Sequence, residues 1–308
     1  METVQAVFTH NVVPLFAEPN GSSEQVSQGL LGDRVEALEQ RDSFLNVRTS
    51  DAYTGWVRTM HLRATQSPDP LQRARDHYPE DYHSHARLCT VGVGFADVWG
   101  APDRSRLRTK LVWGSRILVA ETVLYRTGSY ALVILPDGGY DVPKAEFVGG
   151  YALSEALDPP ARPEDFDGET ACELAHRFIG TPYLWGGGTP FGFDCSGFVQ
   201  RIYAVLGITL PRDAYMQADS KLGTFREADK PRRAGDLVFF GGQSDPRHRG
   251  ITHVGLALDN RHFIHAQSKT GVTLSAFADS EIQAAYTCRG SWRYSFSRSK
   301  APGKSSAS

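Results

Sequence analysis

The sequence predicts an α+β domain built on an antiparallel sheet, preceded by two small all-β barrels. Three observations lead there. Residues 1–152 are short apolar runs divided by turn signals, and a weak internal repeat runs through them. After a proline-dense break the pattern changes to two amphipathic stretches followed by strand-like runs. At 308 residues the chain exceeds one ordinary domain. Its 41% hydrophobic and 22% charged residues fit a soluble globular protein able to bury real cores. The formal net charge of -2 argues against nucleic-acid binding, and no stretch approaches the roughly 18 apolar residues of a membrane span.

In the first segment, Val12-Val13-Pro14-Leu15-Phe16 precedes the turn-rich Pro19-Asn20-Gly21-Ser22-Ser23. Residues 29–38, Phe44-Leu45-Asn46-Val47-Arg48 and Gly55-Trp56-Val57 continue the pattern. Leu31-Gly32-Asp33-Arg34-Val35 is echoed by Trp113-Gly114-Ser115-Arg116-Ile117, and Phe44-Leu45-Asn46-Val47 by Tyr130-Ala131-Leu132-Val133. Gly55-Trp56-Val57 has a looser echo in Gly139-Tyr140-Asp141-Val142. Two copies in one order predict similar barrels over residues 1–64 and 88–152, since a solenoid needs about three units or more. Between them residues 65–87, with Leu71-Gln72-Arg73-Ala74-Arg75-Asp76-His77, read as a polar helical linker.

Asp158-Pro159-Pro160-Ala161-Arg162-Pro163 marks a domain boundary, because prolines at this density stop regular structure. In the domain over residues 165–296, Ala171, Leu174, Ala175 and Phe178 recur at helical spacing across residues 169–179. Phe198, Ile202, Tyr203, Val205 and Leu206 define a second helix. Strand-like runs follow at residues 236–240, 253–258, 263–266 and 291–294, an order that predicts helices packed on an antiparallel sheet. Residues 297–308, rich in Ser, Lys and Gly, are expected to be disordered.

Cys89, Cys172, Cys195 and Cys288 lie far apart with no C-x-x-C pair, which argues against a zinc site or a disulfide framework. Met1-Glu2-Thr3-Val4-Gln5 lacks a basic start followed by an apolar run, so a cytoplasmic location is expected. Only Cys195 has a local sequence that demands more. The loop Tyr183-Leu184-Trp185-Gly186-Gly187-Gly188-Thr189-Pro190-Phe191-Gly192-Phe193-Asp194 delivers it to the start of the second helix. Backbone N–H groups there favour the thiolate, the reactive form. A plain Asp194 cap with Cys195 as a packed residue accounts for the position, but not for the aromatic, glycine-laden loop.

His253 and His265 each lie six residues from Asp259, in the turn Asp259-Asn260-Arg261. A hairpin centred on Asp259 sets the two histidines directly opposite, with Cβ atoms about 4.5–5.5 Å apart. That geometry predicts a base, His253, with its second ring nitrogen held by His265. His248 and His262 are read as ordinary polar residues.

Together these residues resemble the NlpC/P60 family of cysteine peptidases. The matching motifs are Asp194-Cys195-Ser196-Gly197-Phe198, Thr252-His253-Val254-Gly255 and Phe263-Ile264-His265-Ala266, with Arg233-Ala234-Gly235-Asp236-Leu237-Val238-Phe239-Phe240 between them. The resemblance spans residues 165–296 and implies a papain-like core that cleaves γ-D-glutamyl bonds of peptidoglycan stem peptides. The two predicted barrels are similar to bacterial SH3-like (SH3b) modules. Their pairing with this domain resembles the γ-D-glutamyl-L-diamino acid endopeptidases of cell-wall recycling. Within that group Tyr183 and Trp185 match a Tyr-x-Trp-Gly-Gly segment, and Arg212-Asp213 an Arg-Asp pair whose acid binds the free amine of the substrate's L-Ala.

The resemblance therefore implies Cys195, His253 and His265 as catalytic residues, and Tyr183, Trp185, Asp194, Ser196 and Asp213 as substrate-binding residues. Ala214 departs from the group's usual Ser. Tyr183 and Trp185 serve equally as loop packing, and Asp213 equally as a helix cap. The implied partner is a murein-derived peptide with free N-terminal L-Ala. No cofactor, metal, nucleic acid or membrane is expected, and the chain is expected to be a monomer. An amidase or acyltransferase of the same fold, or a non-catalytic cell-wall binding protein, are the alternatives.

Overall fold

The computed structural model describes residues 5–65, 86–135, 149–241 and 250–295. Strands β1 (Gln5–Phe8), β2 (Val12–Phe16), β3 (Gln25–Leu30), β4 (Arg34–Arg41), β5 (Phe44–Thr49), β6 (Thr54–Arg58) and β7 (Leu62–Thr65) form one sheet. Their order is β3-β2-β6-β5-β4-β1-β7. Alternation along β2 turns Val13 and Leu15 inward, where they meet Phe8, Val35, Val47 and Val57 in one buried cluster.

The echoed segments build the same topology again. Strands β8 (Arg87–Val91), β9 (Phe95–Trp99), β10 (Leu107–Val112), β11 (Arg116–Tyr125), β12 (Gly128–Ile134), β13 (Gly149–Leu153) and β14 (Leu157–Asp158) follow the order β10-β9-β13-β12-β11-β8-β14. Each strand takes the place of the one seven positions earlier. The shared turn holds Gly32 and Gly114 at φ 85 and 84. The looser echo at residues 139–142, residues 66–85 of the expected helical linker, the expected disordered tail and His248 all lie outside the described residues.

In the last part of the chain, helices α1 (Gly168–His176), α2 (Cys195–Val205) and α3 (Ala214–Ala218) precede a six-stranded sheet. A two-stranded hairpin, β15 (Gly188–Thr189) and β16 (Gly192–Phe193), lies between α1 and α2. The sheet comprises β17 (Gly223–Arg226), β18 (Leu237–Gly241), β19 (Ile251–Ala257), β20 (His262–Gln267), β21 (Gly271–Ala276) and β22 (Thr287–Tyr294), ordered β17-β22-β18-β19-β20-β21. Every neighbouring pair is antiparallel.

Phe198, Val199, Ile202 and Tyr203 of α2 share a core with Phe239, Val254, Leu256 and Trp292 of the sheet. Val238, Phe240, Ala257 and Phe263 form a separate cluster closed by Ile282 of α4 (Ser280–Ala285). The first helix ends at His176, earlier than its apolar spacing predicts, and Phe178 turns out to pack on Trp113 of the second sheet at 4.5 Å. Among the described residues no helix is long and apolar enough to cross a membrane.

Candidate active site

The start of α2 and the middle of β19 bring the expected residues together. Asp194 caps α2, its Oδ1 accepting from the Gly197 N–H at 2.7 Å. A Cβ on Gly197 would stand 2.1 Å from the Gly187 carbonyl oxygen, so the glycine-rich loop and the helix meet backbone to backbone.

Asp194 is also the acid of a buried ion pair with Arg212. Arg212 Nη2 donates to Asp194 Oδ2, and Nη1 donates to Asp194 Oδ1 at 3.1 Å and Ser196 Oγ at 2.8 Å. Its Nε donates to Ser27 Oγ at 3.1 Å, which brings in the edge strand β3. Asp194 and Ser196, both expected at the substrate, thus lie in one network with Arg212. Their side chains are buried and engaged by Arg212 and the helix start, because a guanidinium at this depth requires a paired carboxylate and satisfied donors.

Cys195 is the first residue of α2, and the Val254 and Ser196 backbone N–H groups act on its sulfur. The sequence argument favours a thiolate, and the structure differs. Burial, then the Asp194 carboxylate, push the thiol up to about 12, outweighing those N–H groups and Arg212. Burial, then His265, bring His253 down to about 3. Burial thus opposes charge on both the thiol and the imidazole.

His253 Nε2 lies 2.7 Å from His265 Nδ1, which leaves Nδ1 of His253 as its other polar atom. The register behind this contact differs from the expected one. Leu256 pairs with Ile264 and Ala257 with Phe263, so Gly255, rather than His253, stands across from His265. The turn is centred on Asn260, one residue later than expected, because Leu258 N–H bonds the His262 carbonyl, while Asp259 Oδ1 accepts from Arg261 and His262 N–H. The histidines meet on a diagonal. A Cβ on Gly255 would stand 3.2 Å from that of His265 and 2.9 Å from the Phe263 ring. Tyr286 stacks on His253, with centroids 4.5 Å apart at 18°. His262 is exposed and bonded to Asp259.

The remaining expected binding residues lie where the first sheet meets this domain. Tyr183 bridges Phe193, and burial raises its hydroxyl, followed by the nearby Cys195 and Asp194. Trp185 is 60% exposed, so it is no packing residue. Its Nε1–H donates to Glu24 Oε1 at 2.6 Å, and its carbonyl accepts from Gln25 Nε2 at 3.0 Å. Gln28 Oε1 accepts from the Gly188 N–H at 3.0 Å and Thr189 Oγ1 at 3.3 Å.

Asp213 occupies the cap position of α3 yet makes no side-chain capping bond. Its carboxyl bonds Tyr53 of the first sheet; burial raises it above the usual range and Arg212 pulls it back. Sequence reasoning passed over Arg212 as an organiser, although its place beside Asp213 was a signal. Ser27, Gln28, Tyr53, Ser275 and Tyr286 carried no local signal.

Residues 180–291 match the NlpC/P60 family, and residues 15–62 match the bacterial dipeptidyl-peptidase SH3 domain. Dipeptidyl-peptidase 6 of Lysinibacillus sphaericus is 27% identical over 85% of this chain and 88% of its own length. The gamma-D-glutamyl-L-lysine dipeptidyl-peptidase of Bacillus cereus (strain ATCC 10987 / NRS 248) is 25% identical over 78% of this chain and 66% of its own. The bifunctional muramidase/DL-endopeptidase CwlT of Bacillus subtilis (strain 168) is 40% identical over 41% of this chain, a match spanning only 33% of that relative. A crystal structure of an NlpC/P60 family protein from Bacillus cereus ATCC 10987 shares the fold, with a TM-score of 0.71 and 17% identity over 94% of this chain and 99% of that one. The chain is thus a cysteine peptidase whose NlpC/P60 domain, holding Cys195, His253 and His265, is joined to a bacterial dipeptidyl-peptidase SH3 domain.

Proposed function

We propose that this protein hydrolyses the γ-D-glutamyl-L-diamino acid bond of free stem peptides, L-Ala-γ-D-Glu-diamino acid, and releases L-Ala-D-Glu. The observation that carries the reading is Asp213. It is a half-buried carboxylate joined to Tyr53 of the first sheet, next in sequence to the arginine that grips the residue before Cys195. Such an acid suits a free ammonium a short distance from the scissile bond. The name of the Bacillus cereus relative points to the same bond class.

A thiol at a helix start facing an imidazole on a sheet is read as a papain-like arrangement. Cys195 Sγ attacks the γ-carbonyl carbon while its proton passes to His253 Nδ1, and His265 holds the ring through Nε2. Backbone N–H groups at the start of α2 take the oxyanion. Collapse expels the diamino acid's amine, which receives the proton from His253 and leaves an L-Ala-D-Glu thioester on Cys195. Water, deprotonated by His253, then hydrolyses the thioester and restores the thiol. Asp194 and Ser196 are positioning residues in this reading, while Tyr183 and Trp185 border the substrate.

A requirement for free L-Ala excludes stems still joined to muramic acid. The enzyme then acts after an amidase, in cytoplasmic recycling rather than on the intact wall. Mass spectrometry of products from tripeptides with free or acetylated L-Ala, and from purified sacculi, tests this. The free peptides are expected to be cut between D-Glu and the diamino acid. Asp213→Asn is expected to lower their kcat/KM by roughly tenfold or more, about 1.4 kcal/mol, with little further effect on the acetylated peptide. Sacculi hydrolysed as readily as free tripeptide would sink the recycling role.

A further inference from the structure

Behind the two histidines a third polar residue continues the line. His265 Nε2 lies 3.0 Å from Ser275 Oγ on β21, so Ser275, His265 and His253 form a chain of side-chain hydrogen bonds. Aromatic rings pack around it: Tyr286 and Phe240 against His253, Phe263 against His265. Burial alone shifts His265, and burial with His265 shifts His253. Which nitrogens carry the protons of the neutral rings is set by the hydrogen bonds that the rings make.

Each contact in the chain holds one hydrogen, so the two rings change tautomer together. In one arrangement His253 Nε2–H donates to His265 Nδ1, and His265 Nε2–H donates to Ser275 Oγ. His253 Nδ1 then keeps a lone pair. In the reverse arrangement Ser275 O–H donates to His265 Nε2, His265 Nδ1–H donates to His253 Nε2, and His253 Nδ1 is already protonated. Only the first can accept the thiol proton.

The sulfur end favours it too. Backbone N–H groups of Val254 and Ser196 act on Sγ, and the thiol's S–H is a donor that an imidazole lone pair can accept. We propose that Ser275 is a positioning residue for the reaction, its hydroxyl oxygen accepting from His265 and holding the tautomer that leaves His253 Nδ1 free. This rests on the reading of Cys195 and His253 as the reacting pair.

Ring-nitrogen NMR of the full-length resting protein, labelled with 15N at histidine, reads the tautomers without turnover. Wild type is expected to carry its neutral-ring protons on Nε2 of both His253 and His265. Ser275→Ala is expected to give mixed tautomers and to lower kcat by roughly tenfold, part of what a positioned base contributes, with KM nearly unchanged. Ser275→Thr keeps the hydroxyl and is expected to restore both readouts. A proton on Nδ1 of His253 in wild type would overturn the proposal, even if Ser275→Ala failed to fold. Unchanged tautomers and kcat in Ser275→Ala would do the same. Failure to cleave stem peptides would remove the proposed substrate and leave the tautomer measurement standing.

Discussion

Burial lowers His253 to about 3 and His265 to about 4, from 6.5 for an ordinary imidazole. Between these values the unfolded chain binds protons that the folded protein refuses, so stability rises with pH across the window. The contribution is complete above about pH 6.5 and is lost as pH falls toward 4 and below, at up to about 1.4 kcal/mol per pH unit for each ring. Urea midpoints are expected to be flat from about pH 7 to 8 and to fall between about pH 6 and 4. His253→Gln/His265→Gln is expected to flatten that fall, and an identical slope in the double variant would show that the rings are charged when folded. The candidate side chains, Cys195, His253 and His265, were legible from local sequence. Their protonation was not, because desolvation depends on what packs around them.

At the scale of elements, the contact between the glycine-rich loop and α2 is the tightest constraint on Cys195. Gly197→Ala would force a Cβ against the Gly187 carbonyl, and backbone on both sides leaves little room to give. The expected cost is about 1–3 kcal/mol of stability. Hydrolysis should fall more steeply than that, since any shift moves the first turn of α2. Gly94→Ala is the control, because nothing lies within 4 Å of a Cβ there. Equal activity in the two variants would mean that the loop and helix are not locked.

The elements also show where pattern reading stops. Asp194 and the apolar spacing after it located α2, whereas β17, β21 and α4, of 4, 6 and 6 residues, are too short to show a period. The hairpin shifted register because hydrogen bonds in its turn, and not its midpoint in sequence, set the pairing.

Across the whole molecule, the edge strand β3 borders the loop that carries the active site. Glu24 beside it, and Gln25, Ser27 and Gln28 within it, bond Trp185, Arg212 and Gly188. Arg201 of α2 adds a second tie, its Nε donating to the Gly188 carbonyl at 3.0 Å while its Cδ lies against Gly114. The first sheet thus shapes the loop instead of serving as a remote anchor. Gln28→Leu removes the acceptor for Gly188 N–H and Thr189 Oγ1. It should lower kcat/KM by roughly tenfold. Each lost hydrogen bond costs only about 0.5–1.5 kcal/mol of stability. Steady-state kinetics beside urea unfolding separate the two effects, and unchanged kinetics would return the first sheet to a passive role.

The sequence by itself determined the repeat of two small sheets, the break before the last domain, and a cysteine capped at the start of an amphipathic helix. Those features are written in neighbouring residues, as turn glycines, apolar periodicity and a capping acid. It also singled out the histidine pair, since two strand residues flanking one turn are drawn to one face. Only the tertiary structure decided that Asp194 and Ser196 bond Arg212, that burial opposes charge on Cys195, and that Tyr53 and Gln28 border the site. These outcomes depend on desolvation and on contacts such as Gln28 with Gly188, 160 residues apart, for which the chain carries no local signature.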